Sequence, residues 1–332
     1  MCVLTSGYIF MKLFQPSIFE APSICYNRAV KKLEELDPHA ARISLNEFQG
    51  YAPDKNLEIE FAMADLLDDW TLRDAIDTDP ETAMDIWEQW CHDVGISCYE
   101  VNGRQEVIAK VRKALFRKIS HTMLNVSGLP RNDRFITGGR AVKCLMLGGM
   151  WDEALKLCRQ TLPHSEKPGR IMGYMGDCTY TLGMTGASRD AYLQACIEGP
   201  GEIDIESVQD PEIRELLTDP EYICDENDIP QGPWREDINW AAAIGVVSGI
   251  FPLISTKNTN SAIKIEEIFY RRPEDRYTEG QAFAAGLILS MPGFSASAEA
   301  VRTALNITET RRTTREKAPE LFAMVLERYR QR

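Results

Sequence analysis

The chain has 332 residues, of which 44% are hydrophobic and 26% charged, and it carries a net charge of −13. That length suits two domains or one elongated solenoid, and the apolar fraction is ordinary for a folded protein with a sizeable core. The acidic balance argues against a nucleic-acid-binding role, since phosphate recognition needs a concentrated basic surface.

At the N-terminus, residues 1–10 are mildly apolar but lack the basic start and small-residue cleavage site of a signal peptide. Met11-Lys12-Leu13 makes a more natural start than Met1. Asp37-Pro38 is an N-cap followed by proline at the first helical position. Ala41, Leu45, Phe48 and Pro53 then have the spacing of a helix and its stop, and Ile59, Ala62, Met63 and Leu66 continue as the first helix of a further pair. Residues 57–70 are apolar at helical intervals. Asp79-Pro80-Glu81 repeats the capping logic ahead of residues 82–90, where Met84, Ile86, Trp87 and Trp90 form a core stripe. Residues 104–120 read as an amphipathic helix with Ile108, Val111, Leu115 and Ile119 on one face. Lys110, Arg112, Lys113, Arg117 and Lys118 lie largely on its others.

Residues 138–200 carry one pattern of small and apolar residues twice, in a register of about 34 residues, the period of a stacked helical hairpin. The second copy has Met172, Met175, Gly176, Thr179, Leu182, Gly183, Ser188, Tyr192, Ala195 and Pro200. The first has Ala141, Leu145, Gly149, Ala154, Cys158 and Thr161 at the matching offsets. Gly149 and Gly183 fall at the turn between paired helices, where a residue without Cβ permits tight reversal. Gly176, Ala154 and Ser188 allow close backbone approach, and a single hairpin cannot bury its apolar face alone, so further helical pairs are expected to flank it. The pattern resembles the tetratricopeptide repeat (TPR). It departs from it where Met172 and Gly138 replace the usual Trp, Thr179 the usual Tyr, and Glu166 the closing Pro of the first copy.

The resemblance implies an all-α protein of antiparallel helical hairpins stacked as an α-α superhelix, with a groove lined by the first helix of each repeat. Carried over by position, the groove-facing residues are Gly139, Lys143, Met146 and Leu147 in the first copy and Gly173, Asp177, Tyr180 and Thr181 in the second. Lys143, Met146, Asp177, Tyr180 and Thr181 are the binding candidates. Lys143 would pair a partner carboxylate, and Tyr180 would be an aromatic anchor of the kind that dominates interfaces. The Lys and Asn clamp that some chaperone-binding members use for a C-terminal carboxylate is not present, because Asp177 occupies a key groove place.

Downstream, residues 199–233 are strongly acidic and rich in Asp-Pro steps. They are read as a linker over 201–235, with one short helix at 212–217. An EF-hand calcium loop does not fit, since its alternation and closing Glu are missing. Ala241 to Gly245 before Pro252 parallels Ala282 to Gly286 before Pro292, about 40 residues on, with each proline ending its helix, which indicates a compact helical C-terminal part over 236–332. The polar segment 271–276 is read as a capping turn before a helix over 278–289. The basic run from Arg311 to Arg332, like the basic cluster of 104–118, reads as a solvated helix face, with contact to an acidic partner as the alternative. With 1–130 as an N-terminal helical region that carries a weaker echo of the repeat over 37–70, and 131–200 as the repeat pair, this completes the expected domain plan.

No catalytic signature stands out. Cys91, His92 and Cys98 lie close together but have no second paired set, so no metal is assigned. Gly138-Gly139-Arg140 lacks the spacing and ending of a phosphate loop, and Gly-x-Ser-x-Gly is missing. Nine irregularly spaced cysteines, several at buried helical positions, point to a reducing compartment, hence a cytoplasmic protein. The longest apolar runs, 240–251 and 282–291, are too short to span a bilayer. The expected function is a non-catalytic adaptor or scaffold that binds a protein or peptide partner, with no cofactor, no nucleic acid and no membrane span. An α-helical enzyme with a site between its halves and a self-associating structural subunit, a homo-oligomer, are the alternatives.

Overall fold

The structure, a computed structural model, describes residues 21–96, 105–125, 139–251, 278–290 and 307–330. The expected N-terminal start, the turn at 271–276, and Gly138, Cys98, Pro252 and Pro292 lie outside these residues. Among the described residues the protein is all-α, with neighbouring helices packed in pairs and no strand. The chain divides into two compact units, 1–118 and 119–332.

The first unit contains α1 (Ala21–Glu34), α2 (Pro38–Tyr51), α3 (Glu58–Asp68), α4 (Trp70–Thr78), α5 (Pro80–Asp93) and most of α6 (Gln105–Asn125). Its starts are chemical. Asp37 accepts from the Ala40 N–H, Asp69 from Thr71 and Asp79 from both Glu81 and Thr82, satisfying N–H groups that a helix leaves without partners. The expected helix over 57–70 is broken at Asp69, whose extended backbone ends α3 and caps α4. Between α1 and α2, Ala29, Leu45 and Leu57 form a small core closed by Tyr26, Phe48 and Phe61. Met84 and Trp87 are buried as the stripe requires, with the Trp87 indole edge-on to Phe116 of α6 at 5.8 Å. The apolar face of α6 is buried at Ile108, Val111, Leu115 and Ile119. On its other faces Lys110 pairs with Glu106 and Glu34, and Lys118 with Asp77.

The second unit begins in the last turns of α6 and continues through α7 (Arg140–Leu147), α8 (Trp151–Thr161), α9 (Pro168–Thr181) and α10 (Thr185–Glu198). These are the two hairpins of the 34-residue register. The turns are superposable in their bonding. Gly149 donates to the Met146 carbonyl and Met150 to Leu145, while Gly183 donates to Tyr180 and Met184 to Thr179. This is the Schellman pattern, and Gly149 (φ +70°) and Gly183 (φ +77°) supply its left-handed residue. Gly176 lets α9 meet α10: a Cβ there would lie 2.6 Å from the Tyr192 ring.

After α10 the chain departs from the expected linker. Ile203, Val208, Ile213, Leu216, Leu217, Ile223, Cys224, Ile229 and Trp234 are all buried, and they share one core with Tyr192, Ala242, Ile244 and Phe283. The stretch holds two helices rather than one, α11 (Pro211–Thr218) and α12 (Pro220–Glu226), capped by Asp210 and Asp219. The acidic residues of α11 and α12 face outward while an apolar residue every three or four positions faces inward, so 201–235 is core rather than spacer.

Next come α13 (Ala241–Ser248), α14 (Glu279–Ser290), α15 (Ile307–Lys317) and α16 (Pro319–Arg330). Residues 241–247 of α13 are buried all round, as its unbroken apolarity implies. Gly249 ends it at φ +92°, before the proline expected to do so. Thr278 and Gln281 form a capping box at the head of α14, and Gln281 also reaches the Ile197 carbonyl of α10 at 2.8 Å.

Candidate functional site

The face of α7 and α9 expected to line a groove is covered by the chain itself. Residues 199–210, in two short 3-10 turns at Pro200–Glu202 and Ile205–Ser207, run along it. The contacts follow α9 from its first turn. The Gly169 N–H donates to Glu202 Oε2 at 2.9 Å, and Arg170 Nε to the Glu202 carbonyl at 3.2 Å. A Cβ on Gly173 would sit 3.3 Å from Ile203, so glycine here admits the covering segment. One turn on, Tyr174 Oη donates to Asp204 Oδ2 at 3.0 Å, and Lys143 Nζ of α7 lies 3.5 Å from the same oxygen.

The contact centres on Asp177, which is fully buried. Its Oδ1 accepts from the Tyr192 hydroxyl of α10 and from the Gln209 N–H at 2.8 Å, and its Oδ2 lies 2.8 Å from Ser207 Oγ. Burial pushes the carboxyl up to about 8, against the hydrogen bonds donated to Oδ1 by Tyr192 and by the Gln209 N–H, which pull it down. Burial likewise holds the Tyr174 and Tyr192 hydroxyls well above the ordinary tyrosine range, aided by the neighbouring aspartates.

The binding candidates are therefore separated. Asp177 has no exposed surface and ties α9 to α10 and to residues 207–209. Met146 and Leu147 are buried in the core. Lys143 keeps only 17% of its side chain exposed and is engaged with Asp204. Gly139, at φ +84°, packs against Ile171 and Tyr174. Tyr180 and Thr181 remain at the end of α9: Tyr180 is half-buried, and Thr181 is exposed, with its hydroxyl on the Asp177 carbonyl at 3.0 Å. Beside them at the hairpin tip stands Met184, 43% exposed. Sequence reasoning missed Ser207 and Gln209, whose link to Asp177 spans 30 and 32 residues. It also missed Trp70 in the first unit, 77% exposed at the first position of α4, whose only sequence signal is its polar flank of Asp69 and Thr71.

Among the described residues no group of three or more His, Cys, Asp or Glu is placed to hold a metal ion. Cys91 is buried while His92 next to it points to solvent. A shallow cavity in the first unit is lined by Gln49, Lys55, Asn56, Leu57, Glu58, Phe61, Ala62 and Asp65. No described helix is long and apolar enough to cross a membrane. No family model, no curated protein and no solved structure matches the chain.

Proposed function

We propose that the protein is a non-catalytic adaptor or scaffold of tetratricopeptide-like hairpins that binds a protein partner through exposed aromatic and apolar side chains rather than through an open groove. The observation that carries this reading is the hairpin tip, where Tyr180, Thr181 and Met184 reach the surface together while the groove face is filled from within. Trp70 supports it from the first unit, because an uncovered indole gains more from burial at an interface than any other side chain. Seven buried free cysteines support work in a reducing compartment such as the cytoplasm.

The test is a pull-down with the tagged full-length chain beside two variants, Tyr180→Ala with Met184→Ala, and Trp70→Ala, each shown to melt like the parent. Anchor residues carry about 2 kcal/mol or more at an interface, so one variant should retain a stoichiometric partner about thirtyfold less tightly. A partner held equally by the parent and both variants, or no partner at all, would contradict the reading. Turnover of a metabolite by the purified chain would replace it with the enzyme alternative.

A further inference from the structure

The hydrogens around Ser207 are too few for the contacts it makes. Its Oγ lies 2.8 Å from Asp177 Oδ2 and 2.8 Å from the Asp204 carbonyl oxygen. A hydroxyl has one proton to donate, and a carbonyl has none to give. If Ser207 donates to Asp204, the contact with Asp177 needs a proton from the carboxyl. The other oxygen, Oδ1, is already occupied as an acceptor by the Tyr192 hydroxyl and the Gln209 N–H.

From this proton count we propose that Asp177 is kept as a neutral carboxylic acid, Oδ2–H donating to Ser207, and that this acid latches residues 203–210 onto the repeat hairpin in a way that loosens as pH rises. Charge around the site agrees. The three groups on Asp177 are two hydroxyls and an amide, none of them a cation. Lys143 on α7 is directed at Asp204, and Arg189 on α10 at Asp210. The remaining titratable neighbours are Tyr174 and Cys178 on α9 and Tyr192 on α10, all shifted toward their neutral forms, and Asp204, whose negative charge opposes a second one at Asp177. A buried carboxylate without a cation would bear its desolvation cost uncompensated.

The linkage has a definite sign. With a folded-state proton affinity above that of the unfolded chain, the latch is fully present below about pH 4 and is lost as pH rises toward about 8. In that window folding retains one proton the unfolded chain has released, so the folding constant falls up to about tenfold per pH unit from this group alone.

The test compares denaturant unfolding of the full chain and of Asp177→Asn between pH 4.5 and 8. Asparagine keeps the shape, accepts from Tyr192 and Gln209 through its oxygen and donates to Ser207 through its amide, with no proton to lose. The ratio of the two folding constants should shift steadily in favour of the asparagine variant as pH rises. A ratio independent of pH would overturn the proposal. Carbon-13 NMR of aspartate carboxyls in the unaltered chain gives a readout that does not depend on the variant folding. One resonance should keep a protonated shift at pH 6, and its absence would also overturn the proposal.

Discussion

Single residues do different kinds of work on α9 and in the turn that follows it. Gly183 is there for its dihedral angle, since nothing lies within 4 Å of a Cβ built on it, whereas Gly176 is there for space against the Tyr192 ring. Gly183→Ala should therefore cost about 1 kcal/mol, the left-handed penalty of an L-residue. Gly176→Ala should cost about 1–3 kcal/mol as an overpacked contact. Urea unfolding of both variants checks the order, and equal losses would contradict the distinction. Gly149 and Gly183 were legible from the sequence because a turn's demand for glycine is local. The place of Asp177 was not legible, because whether a carboxylate on a helix faces solvent or a buried donor set depends on where residues 207–209 return.

At the scale of elements, capping was the most readable signal and amphipathic turns within an acidic stretch the least. All of Asp37-Pro38, Asp79-Pro80, Asp210-Pro211 and Asp219-Pro220 open helices, with the aspartate accepting backbone N–H bonds. Asp79→Ala should cost about 1 kcal/mol. The Thr82 hydroxyl, more than the backbone N–H groups, holds the Asp79 carboxyl below its ordinary range. Its contribution is therefore present above about pH 4 and fades as pH falls below it, opposite in sign to Asp177; thermal melts of the variant and parent at pH 7 and pH 3 should converge at the acid end. The linker reading of 201–235 failed because α11 and α12 have eight and seven residues, too few turns for periodicity to outweigh a run of carboxylates. Nor did sequence show how α13 ends. Arg328 Nη1 lies 2.9 Å from the Val246 carbonyl and 3.1 Å from Val247, and Arg189 Nη1 3.1 Å from Ile250. The Arg328 guanidinium from α16 satisfies carbonyls at the negative end of the helix dipole, and that of Arg189 from α10 a carbonyl just past it. Removing the first with Arg328→Met should cost about 1.5–3 kcal/mol, the range for hydrogen bonds to a charged group, as read from the unfolding midpoint.

For the whole molecule, the all-α class and paired helices were readable from periodicity, while the division into units was not. The cut falls inside α6, where no proline, glycine or change in composition marks it. The cysteines offer a global test of burial. Seven of the nine lie buried as free thiols, and the remaining two are Cys2 and Cys98. No more than two should react rapidly with a thiol reagent in the native chain, and all nine in denaturant. The account turns most on residues 199–210 lying against α9 as part of the core. Six of their N–H groups are bonded, at Gly199, Glu202, Ile203, Ser207, Val208 and Gln209. Hydrogen exchange followed by mass spectrometry on the full chain tests this directly. Peptides covering 202–209 should exchange as slowly as those of α9 and α10; exchange at the rate of an unstructured chain would mean that the segment is not part of the core and would reopen the groove to a partner.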